Sequence, residues 1–155
     1  MKTLLALSLM LILAVATSAP ASDSIGLGIR DGIAHGHYDS NSVEAFGDLY
    51  LNPIISIGAS AGYVMPNKSH INSIRRNKSV PVTALFKAHL PTPLIRPYAG
   101  LGEAIEFHDH NMSTYTPVVL GGADIPFGLF FLNAEYRRHI NDRMDFFSVG
   151  VGIRF

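Results

Sequence analysis

The sequence contains no cysteine and no tryptophan. A chain of this composition must hold its fold without disulfides, which closure of a sheet would achieve. No charge sign dominates either: Lys and Arg number 12, and so do Asp and Glu. That balance excludes a global bias towards nucleic acid, so charge has to be read locally. After the first 21 residues there is no long apolar run of the kind a spanning helix needs, so a chain of this kind enters a membrane only as strands.

The first segment reads as a targeting signal, with an uncleaved anchor as the alternative. Lys2 precedes an apolar run from Leu4 to Val15, then Thr17, Ser18 and Ala19-Pro20-Ala21. A basic start, a short apolar run and an A-x-A site form a secretory signal peptide, too short to span a bilayer as a helix. Cleavage is expected after Ala21, removing residues 1–21, and no cysteine precedes the mature chain to make it a lipoprotein. What remains, 22–155, is one domain by length.

The last stretch, Phe146 to Phe155, reads FFSVGVGIRF. Phe147, Val149, Val151, Ile153 and Phe155 alternate with Ser148, Gly150, Gly152 and Arg154, which is the pattern of a half-buried strand. At about 3.3 Å per residue and about 45° of tilt the segment climbs about 23 Å, close to the apolar band of an outer-membrane barrel. Similar alternation, broken by turn residues, places strands at 24–37, 43–51, 54–65, 79–90, 96–107, 114–125, 129–138 and 146–155. Asn52-Pro53, Pro91-Thr92-Pro93 and Pro126-Phe127-Gly128 are tight turns. Longer polar segments, Asp39 to Ser42, Pro66 to Lys78, His108 to Ser113 and His139 to Asp145, fall between them. The expected fold is all-β, an eight-stranded antiparallel up-and-down transmembrane β-barrel, with short periplasmic turns, longer extracellular loops and both termini on the periplasmic side.

Parity assigns the faces. Ile55, Ile57, Ala59, Ala61, Tyr63 and Met65 oppose Ser56, Gly58, Ser60 and Gly62. Val80, Val82, Ala84, Phe86, Ala88 and Leu90 oppose Thr83, Lys87 and His89, and Phe130, Leu132, Ala134 and Tyr136 oppose Asn133, Glu135 and Arg137. With the apolar set outward, Arg30, Glu44, Asp48, Lys87, Glu135 and Arg137 have to pair inside a barrel too narrow for a channel. A soluble barrel of lipocalin type would invert the faces, but the Gly- and Ser-rich opposite face and the missing Trp and Cys argue against it. Asp31 and Glu103 break the pattern by sharing the apolar parity near mid-strand. A bulge at Asp31-Gly32 or Gly102-Glu103 is the expected remedy.

From Pro81 onward the segments PVTALFKAHL, RPYAGLGEAIEF, a Gly-Gly-Ala strand, LNAEYR and SVGVGIRF resemble the OmpW family of small outer-membrane barrels and, more loosely, OmpA- and OmpX-like barrels. The telling pieces are Arg96 to Gly102 and Val149 to Phe155. The resemblance implies a hydrophobic pocket with a lateral exit for small apolar molecules. The terminal Phe155 resembles the signal by which such barrels are handed to the outer-membrane barrel assembly machinery.

Three constellations could carry chemistry. His35, His37, His70, His108, His110 and His139 map to the extracellular end, leaving His89 near the periplasm. His35/His37 and His108/His110 could each grip a metal with Asp109 or Asp142 nearby, although solvated loop histidines are the plainer reading. The longest loop carries Lys68, His70, Arg75, Arg76 and Lys78 without an acid, and Lys68, Arg75, Arg76 and Lys78 are the expected contacts to lipopolysaccharide phosphates. Arg137, Arg138 and Arg143 could add to this belt. His139-Ile140-Asn141-Asp142 stands roughly where lipid A deacylase barrels place a His-x-Ser-Asn motif, but the serine is missing, and neither Ser113 nor Ser148 is forced beside a His and an acid. The expectation is a non-enzymatic outer-membrane protein with a structural, adhesive or small-hydrophobic-solute role. It calls for no catalytic residue, cofactor or assigned metal site, and its partners are membrane lipid and lipopolysaccharide, with no nucleic acid. The alternative is a lipid A-modifying hydrolase.

Overall fold

The computed structural model describes residues 24–36, 39–66, 79–108 and 111–155. Eight strands follow one another in chain order: β1 (Ile25–His35), β2 (Ser40–Tyr50), β3 (Ile55–Pro66), β4 (Ser79–His89), β5 (Arg96–His108), β6 (Asn111–Phe127), β7 (Phe130–His139) and β8 (Met144–Arg154). Each pairs antiparallel with its neighbours, and β1 pairs with β8, from Gly26 opposite Arg154 to His35 opposite Asp145, so the sheet closes into a barrel. Closure leaves the sheet without an edge strand, which is how a β-chain without disulfides satisfies its backbone in a bilayer.

The alternation read from the sequence holds on every wall. Leu27, Ile29, Ile57, Val82, Phe86, Leu101, Val119, Leu132, Val149 and Val151 are exposed on the outer face. Between them, Ser56, Ser60, Thr83, Lys87, Asn133 and Arg154 are buried inside. An exterior this apolar around a polar interior is that of a transmembrane barrel, the reverse of a soluble one.

One end of the barrel carries the tight turns. Asn52 Oδ1 accepts the backbone N–H groups of Ile54 and Ile55, each at 2.8 Å, which makes the link between β2 and β3 an Asx-type turn. Between β6 and β7 the expected turn moves by one or two residues. Pro126 and Phe127 belong to β6, opposite Phe131 and Phe130, and the turn is Gly128-Leu129. Gly128 has φ 68°, the left-handed value that a two-residue hairpin of type II′ puts on Gly at its first central position.

At the other end most strands run further than expected, although β1 stops at His35, two residues short of its expected end at 37. Ser40 to Ser42 open β2, Asn111 to Ser113 open β6, His139 closes β7, and Met144 and Asp145 open β8. The loop between β7 and β8 is thereby reduced to 140–143.

The two expected bulges are absent. Asp31 stays in register with Val43 on one side and Val149 on the other, and Glu103 with Ala84 and Pro117. Both carboxylates face outward. The irregularity in β5 and β6 lies higher, between Glu106 and His108.

Inner-wall glycines give the larger side chains room. A Cβ on Gly152 would lie 2.3 Å from the Phe131 ring, and one on Gly150 would lie 2.5 Å from Cβ of Arg30. These glycines therefore set where aromatic and guanidinium groups can cross the lumen.

Candidate functional site

The interior polar residues expected to pair do so, in one network. Arg30 Nε lies 2.5 Å from Glu44 Oε2 and its Nη1 2.8 Å from Glu135 Oε2. Arg137 joins the same two acids, Nη1 at 2.8 Å from Glu44 Oε1 and Nη2 at 2.7 Å from Glu135 Oε1. Lys87 Nζ sits 2.9 Å from Asp48 Oδ1 and 3.7 Å from Glu135 Oε2. Removing such charges from water costs several kcal/mol per ion, and only mutual pairing and further hydrogen bonds offset it. Arg137 Nη1 extends the network to the opposite wall, where it donates to Ser60 Oγ at 3.4 Å on β3 and Thr83 Oγ1 at 3.3 Å on β4.

A second layer towards the turn end was not anticipated. Tyr98 donates its hydroxyl proton to Glu135 Oε2 at 2.9 Å and accepts from Asn133 Nδ2 at 2.8 Å, while the same amide also reaches Asp124 Oδ1 at 2.8 Å. Arg154 donates to the Tyr50 hydroxyl and lies 3.5 Å from Asp124 Oδ2, its guanidinium stacked 4.1 Å over the Tyr50 ring. Phe46 and Phe131 fill the space between, with Arg30 4.9 Å over the Phe46 ring and Arg154 5.4 Å over that of Phe131. His89 is buried at this end, 2.8 Å from Ser56 Oγ and with its ring 5.3 Å from those of Tyr50 and Tyr98. The available signal was parity: Phe46 and Tyr50 share it with Glu44 and Asp48.

The loop end holds a third group. His139 is not a solvated loop residue. It ends β7 with its ring inside the barrel, 0% exposed and 4.6 Å from the ring of Phe146. Its Nδ1 lies 3.9 Å from Glu106 Oε1, too far for a hydrogen bond, and neither ring nitrogen has a hydrogen-bond partner. Asp142 comes to the same place because its loop is tied down onto β6. Ile140 N–H donates to the Pro117 carbonyl at 3.0 Å, Asn141 N–H to Thr116 Oγ1 at 3.0 Å, and Asn141 Nδ2 to the Tyr115 carbonyl at 3.2 Å. Arg143, at φ 51°, then turns the chain back into β8.

The other expected site residues are scattered. Lys68, His70, Arg75, Arg76 and Lys78 lie outside the described residues, as do His37, Asp109 and His110. His35 is on the rim, exposed, with Nδ1 2.5 Å from Asp39 Oδ1. Arg137 faces inward and Arg138 outward, the latter 3.7 Å from Asp145. Ser148 donates to the Glu135 carbonyl at 3.4 Å, and it lies four positions down β8 from Met144, the partner of His139. At about 3.3 Å per residue that separates Ser148 from His139 by about 13 Å along the wall, so the two do not form a nucleophile and its base. Phe155 extends the seam: its N–H donates to the Ile25 carbonyl at 3.0 Å and its carbonyl accepts from Ile25 N–H at 2.9 Å.

No protein-family model and no curated protein sequence matches the chain. Solved structures do match. Neisserial surface protein A aligns at a TM-score of 0.68 and 14% identity, covering 86% of this chain and 97% of that one. The N-terminal β-barrel domain of Pseudomonas aeruginosa OprF aligns at 0.58 and 16%, covering 86% and 100%. Ail, the attachment invasion locus protein of Yersinia pestis, aligns at 0.54 and 18%, covering 86% and 97%. At these identities the likeness is one of architecture, and it gives the chain the fold of the small eight-stranded outer-membrane barrels.

Proposed function

We propose that the protein is a small integral outer-membrane protein that acts at the cell surface through its loops, in a structural or adhesive role and without catalysis. The observation that carries this is Arg137, whose guanidinium bridges the lumen from β7 to Ser60 and Thr83 while pairing with Glu44 and Glu135. A lumen crossed by a paired guanidinium offers no path for solutes, which leaves the ends and the outer wall as working surfaces. That one neighbour in fold is an attachment invasion locus protein supports the adhesive version. Kinship with the OmpW family rests on the motifs at Arg96 to Gly102 and Val149 to Phe155. Its solute-carrying role draws support from a groove of about 700 Å³ on the outer wall, lined by Ile33, Met65, Tyr136, Phe147 and Val149.

Lys68, Arg75, Arg76 and Lys78 are the proposed contacts to lipopolysaccharide. Each cation near a phosphate-dense surface gains about 1 kcal/mol, screened by salt within about 8 Å, so the effect needs all four. The protein should fractionate with the outer membrane, and its unheated form should migrate differently from the boiled one on gels. Changing the four residues together to Gln should weaken lipopolysaccharide binding at low salt while the barrel stays folded. Undiminished binding would remove the basic loop from the account. Lipid A from cells with and without the protein should have the same acyl pattern by mass analysis; a change would favour the hydrolase instead.

A further inference from the structure

We propose that Glu106, His139 and Asp142 form a binding site for a first-row divalent metal ion of the Zn²⁺ class at the loop end of the barrel. One donor atom from each lies within 4.8 Å of the others, drawn from β5, from the end of β7 and from the loop that follows it.

Two carboxylates alone would be an acidic pair at a rim. The imidazole makes the difference. Burial of His139 leaves both ring nitrogens without a hydrogen-bond partner, and Asp142 Oδ2 is likewise buried without one. A buried imidazole in that state costs free energy unless something else occupies its lone pair, because it has given up water and gained no partner. A metal ion at Nδ1 is such a partner. One imidazole with two carboxylates suits Zn²⁺ or Mn²⁺, whereas Mg²⁺ and Ca²⁺ prefer all-oxygen sets.

The loop is built to deliver its ligand. Residues 140–143 are fixed to β6 by three hydrogen bonds through Ile140 and Asn141, so Asp142 is held over the mouth. Zn²⁺ bonds of about 2.0–2.2 Å place tetrahedral donors about 3.4 Å apart, so binding draws the three together by up to about 1.4 Å. The Asp142 side chain, beyond the anchored Ile140 and Asn141, makes up that difference, since Glu106 and His139 sit on paired strands. Three protein ligands leave a fourth position for water at the mouth. Bound metal would staple the β7–β8 loop to β5 and stabilise the folded barrel by linkage.

The test uses the full, untagged chain folded in detergent, titrated with Zn²⁺ by calorimetry, with excess Mg²⁺ as competitor. The parent should bind one Zn²⁺ per barrel at about micromolar affinity or tighter, unaffected by Mg²⁺, and its unfolding midpoint should rise with the metal. Asp142→Asn and Glu106→Gln should each weaken binding by about tenfold or more and abolish the rise in midpoint. Asp142 is a loop residue, so its variant keeps the barrel intact, as heat-modifiable migration on gels would verify. The double variant His35→Ala, His37→Ala should bind as the parent does. No binding at about 100 µM Zn²⁺, parental affinity in Asp142→Asn, or loss of binding in the double variant would each overturn the site.

Discussion

Asp31 stands opposite Val149 across the seam where β1 meets β8, with both side chains on the outer wall. The next outward pair up the seam is Ile33 and Phe147, and the Phe147 ring lies 4.9 Å from that of Tyr136, tilted by 42°. Asp31 thus lies one outward step inside an aromatic girdle, where the surrounding medium is apolar. No hydrogen bond or ion pair to it is found among the described residues. Glu103, between Ala84 and Pro117 on the far side of the barrel, has the same outward placement.

Asp31→Val should therefore stabilise the barrel, by about 1 kcal/mol if the carboxylate meets the edge of the hydrocarbon. Urea unfolding in lipid vesicles reads the change. A loss of stability on this substitution would mean that Asp31 has a partner in the membrane, and Glu103→Leu is the parallel case.

Within the lumen the sign is reversed. Glu135 neutralises Arg30 and Arg137 at 2.8 and 2.7 Å and accepts from Tyr98, with its side chain fully buried. Glu135→Ala leaves the two guanidinium groups to share Glu44 alone, a buried positive charge in excess, and should cost about 3–5 kcal/mol. The Lys87–Asp48 pair permits a cleaner measurement: Asp48→Leu alone should be strongly destabilising, whereas Asp48→Leu with Lys87→Met should recover much of the loss. Equal losses in the single and double variants would show that the pair is not what holds this layer.

Face assignment is testable by the same substitution on the two sides of one strand. Arg at Val151 or Ala59 enters the lipid and should destabilise by about 2–4 kcal/mol. Arg at Gly150 fails differently, because even a Cβ there meets Cβ of Arg30 at 2.5 Å. A fluorescent label at Val151 should report lipid and one at Gly150 burial, and the opposite result would invert the barrel.

These contrasts also mark what the sequence made legible. Period-2 alternation was enough for the eight strands and for the pairing of Arg30, Glu44, Lys87, Glu135 and Arg137, because a strand that switches faces must carry its whole apolar set with it. The same logic misled at Asp31 and Glu103. A bulge keeps a carboxylate out of lipid, but the register runs through unbroken, since backbone pairing on both sides outweighs one unfavourable side chain. The aromatic layer of Phe46, Tyr50, Tyr98 and Phe131 was obscured for another reason. Alternation says nothing of whether the lumen has room for rings, and that room is opened by glycines such as Gly152 beside Phe131. His139 opens a polar run whose composition reads as a loop, whereas β7 continues through it and β8 begins at Met144.

The last expectation separates packing from recognition at the end of β8. Phe155 contributes two backbone hydrogen bonds to Ile25 and, as a residue, remains 54% exposed. Each such bond is worth about 0.5–1.5 kcal/mol net, so deletion of Phe155 should lower equilibrium stability only moderately. If the terminal aromatic is also read by the assembly machinery, the loss in cells should be far larger. Barrel refolded from denaturant into vesicles should then recover nearly as well without Phe155 as with it, while the amount of heat-modifiable protein in outer membranes falls sharply. Parallel losses in both measurements would assign Phe155 to seam packing alone.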